Sequence, residues 1–117
     1  YVSWGASTLT KAAIHSCGPY NIPNTRVDGY LVYTNNPVGG AMRGFGVTQL
    51  GFAYEAHTDY CACALEMDPF VFRRINLIHD GAALPTAMVM NVVAVEECMD
   101  RVIEMAKKGG HWDDPQG

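Results

Sequence analysis

The feature that most restricts the fold of this chain is a glycine-rich loop at residues 39–46, followed directly by an apolar stretch with helical spacing. The loop reads Gly-Gly-Ala-Met-Arg-Gly-Phe-Gly, with four glycines among eight residues. Glycines at this density carry a high cost in chain entropy and are tolerated where the backbone takes positive φ or approaches another group closely. Backbone N–H groups at a helix start are unpaired and lie at the positive end of the helix dipole. We therefore predict a ligand-contacting loop for an anionic or oxo-bearing ligand, to which Arg43 adds a cation and Phe45 a flat apolar face.

A second interpretation of the same loop is a tight turn without any ligand, and the residues alone leave both open. The loop does not match the known nucleotide-binding templates. It is neither G-x-G-x-x-G nor G-x-x-x-x-G-K-[ST], and it lacks the lysine of the phosphate-binding loop. The chain also has no G-x-S-x-G motif, which excludes the nucleophile turn of the α/β-hydrolases.

Boundary residues predict two short helices. The first spans Ser7–Cys17, with Ser7 as its N-cap and Gly18-Pro19 after its end. The third helix of the chain spans Pro69–Ile78, because Asp68 is a favoured N-cap and proline is favoured at the first helical position.

Apolar spacing predicts two longer helices, the second and the fourth. The second begins at about Thr48, and the fourth ends at Gly109-Gly110 after two i,i+4 pairs of opposite charge. The residues predicted to face a core are Leu50, Ala53, Tyr54, His57, Cys61 and Ala64 in the second helix and Val95, Cys98, Met99, Val102 and Met105 in the fourth.

The stretch from Tyr20 to Thr34 alternates in a way that is typical of a β-strand, with Gly29 as a candidate bulge. Residues 88–90 are predicted to be either a strand or a buried loop. The expected fold class is therefore α+β, a small antiparallel strand pair or sheet with three to four helices. Residues 1–110 are assigned to one partial domain and residues 111–117 to a polar tail or linker.

Charge and composition exclude some classes of partner. The formal net charge is −4, and no cluster of Lys and Arg occurs, which argues against nucleic acid and against an anionic membrane surface. Hydrophobic residues make up 49% and charged residues 17%, as in a globular chain. No apolar run is long enough to span a bilayer.

The four cysteines are predicted to be free thiols in a reducing compartment, which predicts a cytoplasmic location. Cys61 and Cys63 are separated by one residue, and this spacing on a helix points two thiols about 200° apart. Two such thiols do not readily share one zinc ion or iron–sulfur cluster. Buried thiols in a core are the preferred interpretation, and His57 is taken as a core or edge residue rather than a ligand.

Several strings of this sequence resemble the molybdenum hydroxylases, the family of xanthine dehydrogenase and aldehyde oxidoreductase. The segment 41–49, Ala-Met-Arg-Gly-Phe-Gly-Val-Thr-Gln, resembles the family's A-[FM]-R-G-[FY]-G-x-x-Q. Residues 20–29 resemble Y-x-I-P-N-x-R-x-x-G, residues 32–35 resemble V-x-T-N, and residues 73–81 resemble R-x-x-N followed by x-G. Order and spacing agree across residues 7–108, so the resemblance covers nearly the whole chain.

The resemblance implies a role for each matching residue of the loop. The backbone amide of Arg43 would contact the oxo group of the molybdenum centre. The ring of Phe45 would stack on a flat substrate. Ala41, Met42 and Gly44 would line the approach to the pyranopterin, and Gln49 would lie near the cofactor in the first helical turn.

The resemblance also implies an oxidoreductase that hydroxylates an N-heteroaromatic or purine ring with water as the oxygen source. Its cofactor would be molybdenum–pyranopterin in the cytosine dinucleotide form. Iron–sulfur clusters and FAD would be held by partner subunits or domains, and the rest of the molybdenum subunit would be a further partner. The general base of the family is a glutamate in a Gly-Glu-Pro context, which does not occur in this sequence.

Two expectations follow. We expect the chain, which begins without Met, to be an excised piece that supplies no catalytic residue, is inactive alone and self-associates through exposed apolar surface. Five glutamates of the predicted helices are taken as solvated or ion-paired; they are Glu55, Glu66, Glu96, Glu97 and Glu104. The alternative function is a non-enzymatic anion- or nucleotide-binding domain that uses the same loop and helix N-terminus.

Overall fold

The computed structural model describes residues 4–37 and 39–110. The regular secondary structure of these residues consists of α-helices. The helices of these residues are α1 (Gly5–Ile14), α2 (Val47–Ala64), α3 (Pro69–Asn76) and α4 (Val95–Lys108). The predicted tail at residues 111–117 lies outside the described residues, and the assignment of residues 1–110 to one domain stays a prediction.

Helix α1 begins earlier and ends earlier than its sequence predicts. The carbonyl of Trp4 accepts hydrogen bonds from the backbone N–H and the hydroxyl of Thr8, both at 2.9 Å. Trp4 is therefore the N-cap, and the prediction that Ser7 caps the helix is wrong. The helix ends at Ile14, and Gly18 takes a left-handed φ of 55° in the turns that follow.

The predicted start of α3 is confirmed. The carboxylate of Asp68 accepts hydrogen bonds from the amides of Phe70 (2.8 Å) and Val71 (2.9 Å). The helix ends two residues before the predicted Ile78, because the chain becomes extended at Leu77. There the Ile78 amide donates to the Pro19 carbonyl at 2.9 Å, so tertiary pairing replaces the last helical hydrogen bonds.

The predicted antiparallel strand pair or sheet is not found, and the α+β assignment is wrong. Within the described residues there is no strand, only two isolated antiparallel bridges, Tyr20 with Leu77 and Ala83 with Val89. Residues 22–37 are extended or bent, but they form no backbone–backbone hydrogen bond with the described chain.

Residues 22–37 form no sheet because they pack along α1 through their side chains instead of pairing their backbone with another strand. Leu31 lies against Gly5, where an added Cβ would be 3.3 Å from its methyl group. Leu9 lies against Gly29, where an added Cβ would be 3.0 Å away. Gly29 therefore provides room for a helix side chain and is not a bulge. Residues 88–90 form no strand, but their backbone is hydrogen-bonded to residues 81–84 with one bridge. They are not a buried loop either, since Met88 and Val89 are exposed.

The small core forms where α2 meets α1 and α3. The predicted apolar face of α2 is wrong, since Ala53, His57 and Ala64 are exposed while Thr58 and Ala62 are buried. The face that docks on α3 carries charged side chains, so hydrophobic spacing does not locate it. The other buried residues are Cys17, Tyr20, Gly46, Ile78 and Ala82.

The end of helix α4 at Gly109 and its ion pairs match the prediction, whereas its predicted core face does not. The two i,i+4 ion pairs form, Glu97 with Arg101 at 3.3 Å and Glu104 with Lys108 at 2.7 Å. Its predicted apolar face is at most half-buried, with Val102 and Met105 exposed.

The cysteines are free, as predicted, but most are not core residues. Cys17 is buried and Cys61 half-buried, whereas Cys63 and Cys98 are exposed. The buried-thiol interpretation is therefore wrong for Cys63 and Cys98. No group of three or more His, Cys, Asp or Glu side chains that could hold a metal ion occurs among residues 4–37 and 39–110.

The described chain is elongated and leaves many large apolar side chains exposed. Its radius of gyration is 17.1 Å, against about 13 Å for a compact domain of similar length. Tyr30, Tyr33, Phe52 and Val92 are each at least 80% exposed. The expectation of self-association stays a prediction. None of the helices described is both long and apolar enough to cross a membrane.

Candidate functional site

The glycine-rich loop ends in three consecutive residues with left-handed backbone. Gly44, Phe45 and Gly46 have φ values of 81°, 48° and 92°. Glycine adopts this region freely, whereas a phenylalanine there is strained by about 1–2 kcal/mol. Gly46 is also the N-cap of α2, so the left-handed turn leads directly into the helix.

Gly46 is required by close packing as well as by its φ. A Cβ at this position would lie 2.5 Å from the carbonyl oxygen of Thr8 and 3.1 Å from the Cβ of Ala12. The end of the loop therefore rests directly on the backbone of α1. By contrast, a Cβ at Gly39 would meet no atom within 4 Å.

The loop presents a run of unpaired backbone amides. No N–H group of the eight residues from Gly39 to Gly46 donates a hydrogen bond to another described residue. The amides of Thr48 and Gln49, in the first turn of α2, also lack an acceptor among the residues described. Unpaired amides beside a helix N-terminus favour an anionic or oxo-bearing group.

The predicted site residues lie on this loop with different exposure. Met42, Arg43 and Gly44 are exposed and Ala41 is half-buried. Gln49 is exposed, and its amide oxygen accepts a hydrogen bond of 2.9 Å from the hydroxyl of Thr48.

An open cleft of about 630 Å³ lies between α1, the extended segment and the start of α2. Its walls include Thr8, Leu31, Gly39, Gly46 and Gln49. Of the predicted site residues, only Gln49 lines this cleft. Residues 41–45 lie outside its walls, so the loop and the cleft are adjacent rather than identical.

The ring of Phe45 contacts one other aromatic side chain. The ring centroids of Phe45 and Trp4 are 5.7 Å apart, and the planes cross at 76°. Phe45 remains 39% exposed. Its ring therefore has an aromatic neighbour and also a surface that a ligand can reach.

A polar network that sequence reasoning missed joins Tyr20 to α2 and α3. The hydroxyl of Tyr20 donates to both carboxylate oxygens of Glu55, at 3.0 and 2.9 Å. The guanidinium of Arg73 donates to Glu55 at 3.0 Å and contacts Asp59 at 2.6 Å. The interpretation of Glu55 as a solvated or simply ion-paired helix residue was therefore incomplete.

The network changes the pKa of two of its members, and burial acts on them in opposite directions. Burial raises the pKa of Tyr20, and its hydrogen bond to Glu55 raises it further. For Arg73, burial alone would lower the pKa, but hydrogen bonds to Asp59 and Glu55 outweigh this and raise it. A signal for the network was available, since Glu55 and Asp59 lie one helical turn apart and share one face of α2.

We expect Tyr20 to make the stability of the chain fall at alkaline pH. The folded state raises its pKa above the ordinary value of 10.0, so its contribution is complete below pH 10 and is lost as the pH rises through the folded-state pKa. Urea unfolding at several pH values would measure the fall. A Tyr20→Phe variant should show a smaller fall, and parallel losses in the two proteins would contradict this.

A second ion-pair group holds α4 to α3. Arg74 contacts Glu96 at 2.8 Å and also Asp100. The hydrogen bond from Arg74 lowers the pKa of Asp100. These side chains are exposed, so this group is expected to contribute less to stability than the one around Arg73.

Comparison with known proteins identifies the family to which the segment with the glycine-rich loop belongs. The family model for the molybdopterin cofactor-binding domain matches residues 1–77, a range that contains the entire glycine-rich loop. This chain belongs to the molybdopterin cofactor-binding domain family. The resemblance to molybdenum hydroxylases is thereby confirmed at the level of the cofactor-binding domain.

The curated relatives of this molybdopterin-binding domain are oxidoreductases. The nicotinate dehydrogenase large molybdopterin subunit of Eubacterium barkeri is 44% identical over 107 residues, covering 91% of this chain and 25% of the relative. A probable xanthine dehydrogenase subunit of Bacillus subtilis is 44% identical over 77 residues (66% of this chain, 10% of the relative). The aldehyde oxidoreductase of Megalodesulfovibrio gigas is 39% identical over 95 residues (81% and 10%). The chain thus spans a quarter or less of these relatives.

Proposed function

We propose that residues 39–46 and the first turn of α2 form one wall of the molybdenum–pyranopterin site of a hydroxylase. The observation that supports this most directly is the run of unpaired amides on a left-handed turn, inside the segment that matches the cofactor-binding family. Such amides suit the oxo group and the polar edge of this cofactor. When bound, the cofactor would supply the two-electron redox chemistry of hydroxylation.

In this proposal each predicted residue keeps a distinct task. The backbone N–H of Arg43 would donate to the oxo group of the metal centre, and Ala41, Met42 and Gly44 would line the approach to the pyranopterin. Gln49, oriented by the Thr48 hydroxyl, contacts the cofactor from the helix start. The exposed ring of Phe45 stacks on the substrate.

We further propose an N-heteroaromatic or purine ring as substrate, hydroxylated with oxygen from water. Two relatives are named for such rings, nicotinate and xanthine, and Phe45 offers a flat apolar surface that suits them. We also propose that the cofactor is in the cytosine dinucleotide form. The proposed partners are an iron–sulfur subunit, an FAD subunit and the rest of the molybdenum subunit. Free cysteines support a reducing compartment, the cytoplasm.

The 117 residues alone are proposed to be inactive. Their sequence has no Gly-Glu-Pro motif, the context in which the general base of the family lies. Hydroxylation of nicotinate, xanthine or an aldehyde by this chain alone would contradict the proposal. Tight binding of phosphate or a nucleotide with no molybdenum would favour the alternative, a non-enzymatic anion-binding domain.

The substrate role of Phe45 is tested by Phe45→Ala in the enzyme purified with its cofactor. Loss of one stacking surface worth about 1–3 kcal/mol is expected to raise KM for a planar ring by roughly 5- to 150-fold. Molybdenum content is expected to stay unchanged, because the backbone contacts of the loop remain.

The matched control is Phe52→Ala, which removes an 80% exposed phenylalanine from α2. It should leave KM unchanged. An unchanged KM for Phe45→Ala, or an equal rise in both variants, would contradict the assigned role.

A further inference from the structure

Trp4 lies beside both ends of the glycine-rich loop. Its ring centroid is 5.7 Å from that of Phe45, near the end of the loop. Its Cβ lies 4.0 Å from the position that a Cβ on Gly40 would take, near the start of the loop. The Trp4 side chain therefore lies close to both the start and the end of the loop.

The backbone of Trp4 is fixed to the same helix that supports the loop. Its carbonyl accepts two hydrogen bonds from Thr8, and the carbonyl of Thr8 in turn lies against Gly46. The indole and the end of the loop thus share one rigid support, the first turns of α1. A movement of the Trp4 backbone relative to the end of the loop would have to break one of these contacts.

Phe45 needs such support, because its backbone is in the left-handed region between two left-handed glycines. Glycine neighbours restrict the chain weakly, so the loop itself does little to fix the phenyl ring. A nearly perpendicular aromatic contact contributes about 0.5–1.5 kcal/mol beyond area burial and prefers one relative orientation of the two rings. The 76° crossing with Trp4 is of this kind.

We propose that Trp4 is a positioning residue that fixes the plane of the Phe45 ring for stacking on a planar ligand. The contact between the Trp4 and Phe45 rings is observed in the structure. Its expected effect on substrate binding rests on the proposed function. In this role Trp4 acts on the ligand through the ring of Phe45.

The ring contact is tested in the 117-residue chain labelled with 4-fluorophenylalanine, which places one fluorine on each of four phenylalanines. In Trp4→Leu, the fluorine resonance of Phe45 is expected to shift because the ring current of the indole is lost, while that of the exposed Phe52 stays in place. Trp4→Phe should move the Phe45 resonance less, because it restores an aromatic neighbour. An unmoved Phe45 resonance in Trp4→Leu would overturn the proposal.

The effect on the ligand is tested in the enzyme purified with its cofactor. Trp4→Leu is expected to raise KM for a planar ring by roughly 2- to 10-fold without changing kcat, and Trp4→Phe should restore most of it. Phe52→Leu is the control and should change neither constant.

The fluorine resonance and the KM measurements together distinguish a failure of the Phe45 role from a failure of the Trp4 role. If Phe45→Ala leaves KM unchanged, the proposed stacking of Phe45 on the substrate fails, and the fluorine resonance still decides whether the Trp4 ring contacts Phe45. If Phe45→Ala raises KM but Trp4→Leu does not, the positioning role is overturned while the proposed function stands.

Discussion

Replacing Arg73 with methionine is expected to lower the free energy of unfolding by about 2–3 kcal/mol. The side chain of Arg73 is only 17% exposed and joins Glu55 and Asp59 of α2 to α3. Methionine keeps much of the apolar stem but leaves Glu55, a half-buried carboxylate, with Tyr20 as its remaining side-chain donor. Urea unfolding followed by far-UV circular dichroism would measure the loss.

The adjacent Arg74 provides a matched control, because it also contacts two carboxylates. Its side chain is 40% exposed, so water and salt screen its ion pairs. Arg74→Met should therefore cost much less than Arg73→Met. Added salt should weaken the Arg74 contribution and change the Arg73 contribution little. Equal losses in the two variants would contradict a special role for the Tyr20–Glu55–Arg73 network.

Gly46→Ala is expected to cost about 3 kcal/mol and to reduce the molybdenum content of the purified enzyme. Alanine at a φ of 92° is strained, and its Cβ would lie 2.5 Å from the backbone carbonyl of Thr8. Since backbone cannot move aside as a flexible side chain can, α1 and the start of α2 must separate. Unfolding of the variant chain and metal analysis of the variant enzyme would measure the two effects.

Two other glycines of the loop provide graded comparisons. Gly39→Ala is expected to be close to neutral, because its Cβ would meet no atom within 4 Å. Gly44→Ala should be intermediate, since its φ is 81° but its nearest neighbour is the Thr48 methyl group, at 3.1 Å. If Gly39→Ala proved as harmful as Gly46→Ala, the close approach to Thr8 would not explain the loss.

The features that the sequence predicted correctly depend on neighbouring residues. Asp68-Pro69 signals the start of α3 because the cap and the amides it satisfies are two and three residues apart. The end of α4 and its two ion pairs follow the same local logic. The loop-to-helix junction at Gly46 is a further local feature, since four closely spaced glycines rarely continue a helix or strand.

Two features that the sequence predicted wrongly, the sheet and the docking face of α2, depend on distant partners. Alternation from Tyr20 to Thr34 favours a strand, but a strand exists only when another backbone pairs with it. In the described chain the segment instead packs its side chains on α1. The face of α2 that docks on α3 was predicted wrongly for a related reason. This face carries Glu55 and Asp59, which pair with Arg73 of α3, and the spacing of apolar residues does not indicate it.

The glycine-rich loop therefore combines both kinds of information. Its composition alone predicted positive φ or a close approach to another group before α2, and its motif carried the resemblance that the cofactor-binding family confirmed. Only the tertiary structure decided that Gly46 rests on the Thr8 carbonyl and that Trp4 meets the ring of Phe45. The physical reason is that chain entropy and backbone φ are properties of single residues, whereas a contact between α1 and the loop joins residues some forty positions apart.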